Sequence, residues 1–182
     1  MKRILIALLT LCAVPAAAQA PAVPATAAGS VRPLFAQGAA YVLAAAEQMP
    51  EAEYGFKPTP EVRSFGQLVG HVANAQYMIC SVARGEASPN RQNWEQTTEK
   101  AALVEALRAS TEYCNGAYEQ SDEAAMQTVS LFGQQMTRLS VLTLNAAHDF
   151  EHYGNIVTYL RAKGLVPPDG RAPSVLLGDL LG

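Results

Sequence analysis

Residues 148–161 read "HDFEHYGNIVTYLR". Two of the chain's three histidines stand here, four residues apart, inside a stretch with helical spacing. At about 100° per residue, His148 and His152 lie about 40° apart and about 6 Å along the axis, so both imidazoles can reach one point beside the helix. Leu144, Asn145, Ile156 and Tyr159 continue that face, which is therefore expected to point inward. One reading is a peptidase, because "HDFEH" fits the H-x-x-E-H pattern with Glu151 as general base. That architecture takes a further acidic ligand well downstream. No glutamate follows Glu151, and Asp169 and Asp179 lie past the helix. Asp149 also stands where H-E-x-x-H would need glutamate. The peptidase reading is set aside. Two readings stay open: a metal pair, or two core histidines bonded to their neighbours.

The third histidine, His71, falls on the stripe of Leu68, Val72 and Ala75 and is also expected to face inward. Neutral imidazoles suit Zn, Ni, Mn or Fe. Three of them leave a coordination position open, as catalytic rather than closed structural sites do. Cys80 is nine residues from His71, so it is turned by about 180° and displaced by about 13 Å, and cannot share a metal with it. Any site is then built from nitrogen and oxygen donors. Asp149 and Glu151 are the nearest acids. Glu151, about 60° from His148 on the helix, is the candidate base or partner of a ligand, against the plainer reading of both as solvated helix acids.

Outward from this helix, the pattern is helix after helix. Residues 30–49 open at Ser30 and stop before Pro50, and residues 64–84 open at Ser64 and stop at Gly85. A third helix begins near Thr97 or Thr98 and runs to about Gln120. The last runs over about 137–163, with Gly164 past its end and Pro167–Pro168 beyond. No run alternates with period 2 over any length. Four such helices predict an all-α four-helix bundle. The joins are long, at about 14, 12 and 16 residues, which permits crossovers and parallel neighbours. Parallel second and third helices would bring Cys80 and Cys114 to one level and allow a disulfide. Antiparallel ones would leave two small buried thiols.

The chain's opening carries a different message. "MKR", the apolar run "ILIALLTLCAV" and "AQA" at Ala18–Ala20 have the form of a secretory signal peptide over residues 1–20, cleaved near Ala20. Its apolar run is too short to span a membrane. Residues 21–29 form a Pro/Ala-rich flexible leader, 30–168 the bundle and 169–182 a tail. A periplasmic location is expected. The formal charge is −3, and loss of Lys2 and Arg3 takes it to about −5. No basic block is present, so nucleic acid is not the expected partner.

Three features then carry a resemblance to the DinB-like (damage-inducible) superfamily of four-helix-bundle metalloproteins. They are "MPEAEYGFKPTPEVRSFGQLVGHVANA", "HDFEHYGNIVTYLRAKGLVPP" and the order of the helices, together covering residues 34–168. The resemblance implies an up-down-down-up bundle and a metal triad of His71, His148 and His152. It implies a divalent transition metal, zinc or nickel first, and often a homodimer. Some such relatives are enzymes that use low-molecular-weight thiols, whereas this chain has the leader of an exported protein. The expectation is a divalent-metal-binding protein of the envelope. It would act as a metal-dependent hydrolase or thiol-dependent transferase on a small molecule, with a non-catalytic metal or small-ligand binder of the periplasm as the alternative.

Overall fold

A computed structural model describes residues 24–168. The expected signal peptide, residues 21–23 of the leader and the tail at 169–182 lie outside the described residues. Four long helices make the bundle: α1 (Ala27–Gln48), α2 (Phe65–Arg84), α3 (Lys100–Asn115) and, after a short α4 (Asp122–Ala125), α5 (Arg138–Ala162).

The contacts between helices define their directions. Along α1 and α5, Tyr41 stacks on Tyr153 at 4.9 Å, and Gln48 beyond it donates to the Val166 carbonyl at 2.7 Å, so these two run parallel. Phe65, at the start of α2, meets Tyr159 near the end of α5, so α2 and α5 are antiparallel. Ser110 donates to Gln76, and Cys114 is disulfide-bonded to Cys80 with their Cα atoms 5.4 Å apart, so α2 and α3 are parallel. The order is up-down-down-up.

The predicted stripe on α2 is inside: Phe65, Leu68, Val72, Ala75 and Ile79 are all buried. The core has two parts. One, around Phe65, Val69, Leu107, Ile156 and Leu160, underlies the histidines. The other, around Phe35, Tyr118 and Leu142, surrounds the disulfide. Between them runs a buried polar chain. The Ser110 hydroxyl donates to Gln76 Oε1 at 2.7 Å, and Gln76 Nε2 donates to Asp149 Oδ2 at 2.9 Å, tying α3 to α2 to α5.

Several boundaries differ from the sequence reading. Helix α1 starts three residues early, because Thr26, not Ser30, is the cap, its hydroxyl accepting from the Gly29 N–H. The third helix is shorter at both ends. It starts at Lys100, and past Asn115 the chain tightens into a 3-10 turn, Gly116–Glu119. That turn puts Tyr118 against Phe35 at 4.9 Å, with its hydroxyl donating to the Leu142 carbonyl. The third join also contains an unexpected antiparallel hairpin, β1 (Thr128–Leu131) and β2 (Gln134–Thr137). Four-residue strands are too short to show a period of two. The two-residue turn between them takes positive φ at both Phe132 and Gly133, as the tightest hairpins require. Val129, Leu131 and Met136 turn onto the second core. Finally, Leu144 is exposed, unlike its neighbour Asn145. The inward face of α5 centres on Asn145, Asp149, His152 and Ile156, one position away from Leu144.

Candidate metal centre

The site begins with how α2 starts. Ser64 accepts from the Gln67 N–H while the Gln67 side chain accepts from the Ser64 N–H, a reciprocal cap that fixes the first turn. His71 follows one turn later. The residue before it, Gly70, has no room for a side chain: a Cβ there would sit 2.5 Å from the Trp94 carbonyl oxygen. The second join therefore lies directly on α2. Asn74 pins it, accepting from the Trp94 N–H at 3.2 Å and donating to Asn93 at 2.8 Å. This seating puts Glu95 against His71.

His71, His148 and His152 converge from α2 and α5, and a ligand atom from each lies within 4.8 Å of the other two. The Nε2 atoms of His148 and His152 are 3.0 Å apart. Two nitrogens held about 2.1 Å from one ion are about 3.0 Å apart in octahedral and about 3.4 Å apart in tetrahedral coordination, so the pair is spaced within reach of a shared ion. His71 Nδ1 pairs with Glu95 Oε1 at 2.8 Å, and the other Glu95 oxygen takes the Arg63 Nε–H at 2.9 Å. His71 therefore donates through Nδ1 and turns Nε2 toward its partners, the arrangement that orients metal-bound imidazoles. His152 Nδ1 has Asn155 Nδ2 at 3.5 Å, the outer edge of hydrogen-bond range. His148 Nδ1 is buried and finds no partner among the described residues.

Electrostatics favours lone pairs over protons here. Burial, then His152, His71 and Arg63, bring His148 down to about 4. Burial, then His71, bring His152 down to about 4 although Glu151 pulls the other way. Both rings are neutral at pH 7, as ligands must be. Burial acts to raise the Glu95 carboxyl, but hydrogen bonds and charge from Arg63 and His71 outweigh it and hold it below the usual carboxylate range. Glu95 stays ionised beside the triad. The donor set, the neutral rings, the 3.0 Å approach and the carboxylate on His71 together fit a divalent transition metal.

The three predicted ligands are thus brought together. Glu151 is exposed, and its charge acts on His152. The carboxylate in contact with a ligand is Glu95, from a join with no helical or strand pattern. Its one trace in the sequence was Gly70 beside His71, a mark of close backbone approach. Asp149, expected in solvent, is fully buried, and burial pushes its carboxyl up to about 8 against the pull of Gln76. It holds helices together instead of serving the site. The Tyr159 ring packs in the core, and its hydroxyl donates to the Arg63 carbonyl at 2.7 Å. Trp94 packs against the core from the join, and Arg161 is exposed in the last turn of α5.

Beside the triad opens a cleft of about 660 Å³, lined on one side by His152, Asn155, Thr158 and Tyr159 and on the other by the segment carrying Thr59, Glu61 and Arg63. A second cavity, of about 510 Å³, lies beyond Glu95 and holds no histidine.

An up-down-down-up bundle with three histidines converging from its second and last long helices defines a class of possible metal-centred helical proteins. The chain belongs to the DinB superfamily, whose sequence pattern matches residues 34–156. It is 31% identical over 124 residues to the uncharacterized protein YjoA of Bacillus subtilis (strain 168), covering 65% of this chain and 79% of that one. The fold is similar to a DinB-like protein from Bacillus cereus ATCC 10987, with TM-score 0.68 and 16% identity over 76% of this chain and 94% of that chain. It is also similar to a mycothiol-dependent maleylpyruvate isomerase, with TM-score 0.62 and 19% identity over 82% of this chain and 66% of that chain.

Proposed function

We propose that this chain is a metal-dependent enzyme of the bacterial envelope that acts on a small molecule entering the cleft beside His152. The observation that carries the reading is the convergence of three imidazoles, with His71 oriented by Glu95 and the two rings of α5 neutral. A zinc or nickel ion held by them would acidify a bound water or thiol and polarise a carbonyl. The side chains supply the rest. His71, His148 and His152 hold the ion, Glu95 keeps His71 in one tautomer, and Asn155 and Thr158 present polar groups to the cleft. Hydrolysis and thiol-dependent transfer both fit an open position. The thiol-dependent isomerase among the structural neighbours adds weight to the second.

One observation favours a non-catalytic binder instead. Both Glu95 oxygens are engaged, so the carboxylate in contact with the triad does not stand ready as a base. Elemental analysis of the purified chain, with His71→Ala and His148→Ala alongside, tests the metal centre. Stoichiometric metal lost in both variants is expected, and metal content unchanged by either defeats the assignment. A hydrolase and thiol-transfer panel on the metal-loaded protein then separates enzyme from binder.

The envelope location rests on the leader at residues 1–20 and is supported by the Cys80–Cys114 bond, since disulfides persist in oxidising compartments. Cell fractionation with N-terminal sequencing tests it. A cytoplasmic chain still beginning at Met1 refutes it.

A further inference from the structure

The cleft contains one cation whose position is already set before any ligand arrives. Arg63 is held at two points. Its carbonyl accepts from the Tyr159 hydroxyl at 2.7 Å, which fastens its backbone to α5. Its Nε–H is taken by Glu95, itself fastened to His71. Neither Nη group has a hydrogen-bond partner among the described residues, and the side chain is 44% exposed while lining the cleft. A guanidinium held by Nε leaves its outer edge as a two-pronged donor, the shape that matches a carboxylate. A metal on three neutral imidazoles keeps its full positive charge, which reinforces an anionic preference nearby. The opposite sign appears once in the same cleft. Glu61 lies at the exposed rim, and its own backbone and the Thr59 hydroxyl hold its carboxyl below the usual range. It repels a second anionic group at the rim. Leu68 and Val62 supply the apolar lining in between.

We propose that the cleft selects small molecules carrying one carboxylate, which pairs with the free edge of Arg63 while another donor atom of the same molecule reaches the open side of the histidine triad. This rests on the metal-centre reading above and names the substrate class for it. Arg63 is a specificity determinant, and a distal neutral or cationic group is accepted at Glu61 where a second carboxylate is not.

The test uses the full chain loaded with cobalt and two probes, 3-mercaptopropionate and its neutral analogue 3-mercaptopropanol, read by the thiolate-to-cobalt charge-transfer absorption. The carboxylate probe is expected to bind about tenfold more tightly, the fold-change of one partly exposed charge-assisted contact. Mercaptosuccinate, with a second carboxylate, is expected to lose that advantage. Arg63→Gln should erase the difference between the first two probes, the ratio being taken within the variant because Arg63 also braces Glu95, and Arg63→Lys should restore part of it. Equal binding of the two probes to the unaltered protein, each with a charge-transfer band, overturns the carboxylate proposal and leaves the open metal site standing. Bound cobalt with no band from either probe overturns the open-site reading and the proposal together.

Discussion

Glu95 offers the most direct way to test how the centre is built, because it touches a ligand without being one. Its carboxylate takes the His71 Nδ1–H at 2.8 Å and the Arg63 Nε–H at 2.9 Å, and it remains ionised. Removing it should leave the join in place, since the Trp94 N–H bonds to Asn74 and the Glu95 N–H to Asn93, neither through the carboxylate. What is lost is the grip on the His71 ring and its tautomer. Loss of such a partner costs about 10–100-fold in metal affinity, or about 1.4–2.7 kcal/mol. Glu95→Gln keeps an acceptor and loses only the charge, so it belongs at the low end. Glu95→Ala belongs at the high end, and His71→Ala, which deletes the ligand, beyond both. The assay is competition for zinc against a chromophoric chelator at fixed pH, with thermal unfolding of each apo variant as a control for folding. An affinity for Glu95→Ala within twofold of the unaltered protein, with His71→Ala strongly impaired, would refute the orienting role.

Three further outcomes follow from the same contacts. Gly70→Ala forces the Trp94 carbonyl away from α2, so calorimetry should show a loss of about 1–3 kcal/mol, together with weaker zinc binding, as Glu95 moves with the join. Replacing Cys80 and Cys114 by alanine removes a cross-link spanning 34 residues. Urea unfolding should report about 3–4 kcal/mol less stability, and reductant should have the same effect on the unaltered chain but none on the variant. For the metal-free protein, His148 and His152 are held near 4, below their ordinary 6.5. The unfolded chain therefore binds more protons, and stability present above pH 6.5 is lost as pH falls toward 4. With solvent screening at half-buried His148, the pair accounts for about 3–4 kcal/mol. Asp149, whose raised carboxyl adds a slope of the opposite sign in every variant, cancels in a comparison: the difference in denaturant midpoints between the unaltered chain and His148→Ala with His152→Ala, followed from pH 7 to pH 4, checks it.

How much was legible beforehand depended on the range of the forces involved. The stripe of Phe65, Leu68, Val72, Ala75 and Ile79 has one helical period, and burial of that face is a local consequence of spacing. The convergence of His148 and His152 is equally local, because helix geometry alone puts them on one side. Helix ends were less legible. Thr26 displaced Ser30 as a cap through one hydrogen bond, and Tyr118 tightened the end of α3 through contacts with Phe35 and Leu142 distant in sequence. The hairpin at 128–137 left no period because its strands are four residues long.

The sequence by itself determined the helical class and the shared side of His148 and His152, since periodicity and spacing act within a few turns of chain, and its motifs carried the resemblance to the family. Only the tertiary structure showed which acid touches one of the histidines. Glu151 is three residues from His148 and faces solvent, whereas Glu95 is twenty-four residues from His71 and touches it. A join seated on Gly70 brings Glu95 there, and the packing of α5 on α1 and α2 buries Asp149. Proximity along a helix tells which side chains share a face. It does not tell which loop the fold lays across that face, and here the loop carries the carboxylate.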